Sequence, residues 1–242
     1  MNTNESFFKA FEFQNASFAY DNTPFILEDV SIQIPANKVV EVRGWQGAGR
    51  SSVLKLLAGL LIPNSGSYLI NNQRVEEMSF EEFIEYRLKI GFSFEYGGLI
   101  NNKTIRENLE LPLVYHNRFS PEEIEVQVDN IIEEFCLKRD ALKRPSAISG
   151  STRKSAIVAR AFLMNPEVLI LDNPTTGLNS YNREHLRDKI KLSREEGKIP
   201  HIFLATDDRE FAEGLVEEEL VIENKMLYLR PPEIPLPKEA AV

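Results

Sequence analysis

The stretch GWQGAGRSS, Gly44 to Ser52, lies between the β-branched run KVVEV and the helical pattern VLKLLAGLL. Glycines at 44, 47 and 49 let backbone amides turn inward, and a helix N-terminus follows. Together these make an anion nest. The order strand, G-x-x-x-x-G-[R]-S, helix is that of a phosphate-binding loop, with Arg50 where lysine is usual. A glycine-rich turn with no ligand has the same spacing. The second chemical element is VLILD, ending at Asp172. A buried strand ending there would bring an aspartate beside Ser51, and the two oxygens could hold Mg²⁺ directly or through water.

These groups need a scaffold. FEFQNASFAY and ILEDVSIQI alternate apolar and polar residues, which predicts half-buried antiparallel strands. KVVEV, KIGFSF, EVLILD and HIFLAT are compact apolar runs that predict buried strands. SSVLKLLAGLL, SFEEFIEYRL, SGSTRKSAIVARAFLM, SYNREHLRDKIKLSREEG and DREFAEGLV predict helices, and LVIENKMLYL predicts a hairpin around Glu223-Asn224-Lys225. TIRENLELPLVY, SPEEIEVQVDNIIEEFCL and KRDALK predict helices with no strand among them. Ser120, with proline at the next position and acids after it, is a strong cap. The expected division is a core at 1–103 and 146–230, a helical subdomain at 104–145 and a proline-rich flexible tail at 231–242.

ISGSTRKSAIVARAFLMNPEVLILDNPTTGLNS resembles the signature helix, Walker B strand and D-loop of ATP-binding cassette (ABC) ATPases. The likeness runs from about residue 10 to 229. It implies an α/β P-loop core with an N-terminal antiparallel β subdomain and an inserted helical subdomain. Tyr20 falls where the family stacks an aromatic on adenine, GFSFEYGGLI in the Q-loop and LATDD in the switch loop. The resemblance implies that Tyr20, Gly44, Gly47, Gly49, Arg50, Ser51, Ser52, Ser149 and Gly150 face nucleotide, and that Ser51 and Asp172 face metal. Residues 92–116 are also similar to ATPase subunits of Mla/Mce-type bacterial lipid transporters.

The departures cluster where the chemistry would be. Arg50 replaces the invading lysine, Glu95 the Q-loop glutamine, and Ser151 and Thr152 the second glycine and the glutamine of the signature. Asn173 replaces the Walker B glutamate, Asn179 the D-loop aspartate and Asp207 the switch histidine. Phosphoryl transfer depends on positioned water and on cations around the γ-phosphate. Asn173 accepts no proton at neutral pH, a loss of about 10²–10⁴ in rate. Asp207 sets an anion about 5 Å from the γ-phosphate, worth about 3 kcal/mol at an effective dielectric near 20. Arg50 is planar and longer than lysine, so it is expected to fork onto Glu95 or Asp207.

The reading is a degenerate ABC nucleotide-binding subunit with weak or absent hydrolysis. The alternative is an active subunit with Glu95 or Asp207 as a relocated base. ATP or ADP with Mg²⁺, or no ligand, stays open. So does Trp45, which closes over an empty cradle or packs outward on the helical subdomain. The resemblance implies a membrane permease as partner, a homodimer or a heterodimer with an active ABC subunit, and a cytoplasmic, peripheral location. It gives lipid as the suggested cargo.

Net charge −9 over 242 residues argues against nucleic acid, and hence against an ABC protein acting on DNA or ribosomes. No run approaches the roughly 18 apolar residues of a membrane span. MNTNESFFKAFEF lacks the pattern of a signal peptide. Cys136 is the one cysteine, expected as a small buried hydrophobe. His116, His185 and His201 are not at metal spacing and are expected at surface or strand-end positions.

Overall fold

The computed structural model describes residues 6–232. The first residues of the leader reading and the proline-rich tail beyond Pro232 lie outside them. The chain opens with β1 (Phe11–Phe18), β2 (Leu27–Ile34) and β3 (Val39–Arg43), then α1 (Arg50–Leu57), β4 (Ser65–Ile70), β5 (Gln73–Arg74), α2 (Phe80–Arg87) and β6 (Ile90–Ser93). Next come α3 (Ile105–His116), α4 (Pro121–Glu134) and α5 (Gly150–Phe162). β7 (Val168–Asp172), α6 (Ser180–Glu195), β8 (His201–Ala205), α7 (Arg209–Ala212), β9 (Glu218–Glu223) and β10 (Met226–Arg230) complete it.

Two sheets form. The smaller has the order β2-β1-β4-β5 and is antiparallel, as the alternating N-terminal runs predict. Phe11 and Phe13 point inward, the register then shifts between Phe13 and Ala16, and Asn15 takes φ 48° there. Asparagine tolerates that left-handed geometry, so the bulge keeps Ala16 and Phe18 buried too. The larger sheet has the order β10-β9-β3-β8-β7-β6. β3, β8, β7 and β6 run parallel, so the loops at their C-terminal ends gather on one edge. β9 and β10 are the expected hairpin.

One hydrophobic core joins the small sheet and α1 to one face of the large sheet. A second joins the opposite face to α3, α4, α5 and α6. Ser79, Thr104 and Ser120 start α2, α3 and α4 with capping boxes, each reciprocated by a glutamate three residues on. Gly91 sets how closely α5 approaches β6: a Cβ there would lie 1.9 Å from the carbonyl of Ala161.

Two sequence expectations fail here. KRDALK is a series of turns, not a helix. Its carbonyls serve α3 instead, Ile105 N–H donating to Lys143 O at 2.9 Å and Arg106 N–H to Ala141 O at 2.8 Å. Cys136 is exposed, not buried. It follows the end of α4 at φ 55°, which turns its side chain outward while Phe135 and Leu137 fill the core.

His201 is at a strand end, as expected, but fully enclosed at 1% exposure. Its Nδ1 accepts from Asn37 N–H at 3.0 Å, so Nε2–H faces Ser6 Oγ at 2.9 Å, and that hydroxyl donates to Glu167 at 2.8 Å. Both ring nitrogens are committed in the neutral form, and burial pushes the pKa down to about 4. The stability this contributes is full above the unfolded value near 6.5 and is lost as pH falls toward the folded value. Between about pH 7 and pH 5 the loss is about 2 kcal/mol. Urea unfolding of wild type and His201→Gln across that window should show the wild type's stability falling more steeply with acid.

Candidate functional site

The parallel edge assembles the site. The glycine loop follows β3, Thr206–Asp208 follow β8, Asn173–Asn179 follow β7 and Phe94–Gly98 follow β6. In the glycine loop Gly47 and Gly49 take φ 87° and 99°. A Cβ on Gly49 would lie 2.2 Å from Ile26 Cγ2, so glycine is required on both counts. Gly49 caps α1 without a side-chain bond, and the first turn carries no acid, leaving open N–H groups at the positive end of the helix dipole. Trp45 is 75% exposed, which fits neither a ring closed over the cradle nor one packed on the helical subdomain.

Arg50 reaches from this loop to the end of β8. Its guanidinium donates to both carboxylate oxygens of Asp207, at 2.6 and 3.1 Å, so of the two expected acceptors the fork takes Asp207. The bond holds the Asp207 carboxyl below its usual range and raises Arg50 further. Glu95 lies near Asp172 and Lys154, raising the first and steadying the charge of the second.

Ser51 Oγ donates to Asp172 at 3.0 Å. Asp172 is 3% exposed, and burial pushes its carboxyl up, against the pull of that bond. Two hard oxygen donors in contact fit a magnesium ion in kind and position. The Tyr20 hydroxyl lies 3.2 Å from Ser52 Oγ, setting the ring beside the first turn of α1.

Asn173 is 8% exposed, with φ 41°, and its N–H donates to Ala205 O at 2.9 Å. Asn179 caps α6, accepting from Asn182 N–H at 2.8 Å, and Ser151 Oγ accepts from the Asn179 N–H at 3.2 Å. Asn179 therefore has a local structural use, as the cap of α6. Ser149 caps α5, accepting from Thr152 N–H at 3.0 Å and meeting the Thr152 hydroxyl at 2.8 Å. Among the described residues no hydrogen bond joins Ser149 or Gly150 to the glycine loop.

Two charged groups escaped the sequence reading. Lys154, on the buried face of α5, donates to the carbonyls of Phe94 and Glu95 at 3.1 and 3.0 Å and comes within 3.4 Å of that of Asp172. Burial lowers its pKa to about 8. A lysine in register with Val158 and Ala161 was the available signal. Glu41, in the middle of β3, is 1% exposed and is forked by Arg209, which also donates to Thr206 O at 2.8 Å. The acid within KVVEV was the signal there.

Beside the site, α2, α3, β6 and α5 enclose a groove of about 350 Å³ lined by Phe80, Ile84, Phe92, Pro112, Tyr115 and Met164. No helix among the described residues is long and apolar enough to cross a membrane.

A family model described as ABC transporter matches residues 27–176. The chain is 30% identical over 190 residues to the ABC transporter ATP-binding protein YtrE of Bacillus subtilis (strain 168), covering 78% of this chain and 81% of that protein. It is 33% identical over 163 residues to the lipoprotein-releasing system ATP-binding protein LolD of Buchnera aphidicola subsp. Acyrthosiphon pisum, covering 67% and 71%. Some longer relatives are spanned over about half their length, 55% and 48% for two of them. Among solved structures, the dimeric post-hydrolysis state of the ATP-binding cassette MJ0796 bound to ADP and Pi superposes with a TM-score of 0.82 at 26% identity. That superposition covers 91% of this chain and 98% of that one.

Proposed function

The chain belongs to the ATP-binding cassette family of ABC transporters, and from that premise we propose that it is a degenerate nucleotide-binding subunit. It serves a membrane transporter with weak or absent ATP hydrolysis. The observation that carries this is the Arg50–Asp207 fork. The cation of the glycine loop and the group at the end of β8, which would together hold a γ-phosphate, are spent on each other. Asn173 adds the lack of a base.

In this reading ATP or ADP lies in the glycine loop, with Tyr20 beside the base and Ser52 in the first turn of α1. Ser51 and Asp172 are the residues that would hold Mg²⁺, which supplies charge neutralisation at the phosphates when bound. Ser149 and Gly150 face the nucleotide of a second cassette, either a copy of this chain or an active relative. Residues 104–145 are the helical subdomain, and the groove beside it takes a helix of the permease. This places the chain at the cytoplasmic face of the membrane. Lipid is the proposed cargo, supported by the stretch Phe92–His116 and the likeness to LolD.

The test is phosphate release by the purified chain with ATP and Mg²⁺, beside Asp172→Ala. The two are expected to be indistinguishable, and in parallel titrations ATP is expected to bind no more tightly than ADP. Clear wild-type turnover that Asp172→Ala abolishes would sink the reading.

A further inference from the structure

Lys154 has no part in the proposed function, yet a buried ammonium is costly unless it is compensated. It is 4% exposed, on the second turn of α5, and its side chain crosses to the C-terminal ends of β6 and β7. Its hydrogen-bond acceptors there are neutral carbonyls, of Phe94, Glu95 and Asp172. Charge balance comes through space, from the carboxylates of Asp172 and Glu95, both of which favour the charged lysine. Those two carboxylates oppose each other, since Glu95 disfavours the ionised form of Asp172. A fixed cation bonded to the backbone of Glu95 and Asp172, the residues that carry those carboxylates, does part of the electrostatic work that a bound divalent ion does in a phosphate site.

We propose that Lys154 is the resident cation of this site: its ammonium supplies part of the positive charge a divalent metal would bring, and so weakens metal binding at Ser51 and Asp172. Lys154 is a positioning residue, because it acts through the strand-end carbonyls it bonds and the field it sets at the nearby carboxylates. From the proposed function this takes only that Ser51 and Asp172 face the metal. The experiment uses no nucleotide, so its failure and a failure of the hydrolysis reading are separate results.

Mn²⁺ alone is titrated into the nucleotide-free 242-residue chain, with free ion followed by electron paramagnetic resonance. Wild type is expected to bind weakly. Lys154→Gln keeps a donor for the carbonyls but removes the charge, and should bind about tenfold more tightly or better. Lys154→Arg should match wild type, and the gain should vanish in Lys154→Gln/Asp172→Asn. A lysine that only held the fold together would not sort these variants by charge. Equal Mn²⁺ affinity in wild type and Lys154→Gln, both folded by circular dichroism, overturns the proposal. Micromolar, Asp172-dependent Mn²⁺ binding by wild type overturns it as well, and that measurement needs no variant to fold.

Discussion

Combining Asn173→Glu, Asp207→His and Arg50→Lys is expected to raise phosphate release from ATP by about 10²–10⁴-fold over wild type. The three positions share one site, so the gain should be strongly non-additive. Asn173→Glu alone supplies a base but leaves Arg50 forked on Asp207. Asp207→His alone frees Arg50, whose planar head still replaces a compact ammonium, and leaves no base. Together they restore a proton acceptor, a donor toward the γ-phosphate and a point charge in the glycine loop. There is a structural cost at position 173. Asn173 sits at φ 41°, a conformation asparagine tolerates better than glutamate, so about 1 kcal/mol of stability should be lost. Thermal melts of each variant separate that loss from catalysis. A triple variant that is folded yet no faster than wild type would show that these replacements are not what silences the site.

The parts of the site that were legible in the sequence are local ones. Glycines at fixed offsets between a strand and a helix, and the aspartate ending VLILD, sit where their neighbours dictate. The same holds for the Ser120 cap, set by residues within one turn. The partners of charges are another matter. Two acids were open to Arg50 on the sequence, and the choice of Asp207, 157 residues away, is made by β8 lying next to β3. Lys154 was passed over because a lysine within SGSTRKSAIVARAF fits a solvated helix face as well as a buried one. Only the arrival of β6 and β7 beside α5 decides between the two. KRDALK shows the reverse error: its local pattern suits a helix, but the start of α3 claims its carbonyls.

Glu41 and Arg209, 168 residues apart, carry the prediction that bears most on the fold. Glu41 lies in β3, paired to β8 on one side and β9 on the other, where apolar residues are the rule. Burial raises its carboxyl pKa, the fork from Arg209 and the charge of Arg43 pull it down, and Glu219 pushes it up. Arg209→Met leaves this carboxylate buried without its fork, a change that costs about 3–5 kcal/mol in comparable pairs. The lower end applies, because the Arg209 side chain is 48% exposed and water already screens it. The sign with pH follows from the raised pKa. Glu41 favours folding most at pH below its unfolded pKa, and that contribution fades as pH rises through the folded one. Losing Arg209 lifts the folded pKa further, so the variant should be weakest near neutral pH and recover toward wild type on acidification. Removing both charges, as Glu41→Met/Arg209→Met, should return stability to wild type or above it. The loop after β8 should respond differently. Arg209 also donates to Thr206 O, so both variants release the segment that presents Asp207 to Arg50. Urea unfolding at about pH 7 and pH 5 reads the first effect. Hydrogen exchange at Thr206–Asp208 reads the second. Arg209→Met within about 1 kcal/mol of wild type at neutral pH would mean that Arg43 alone satisfies Glu41.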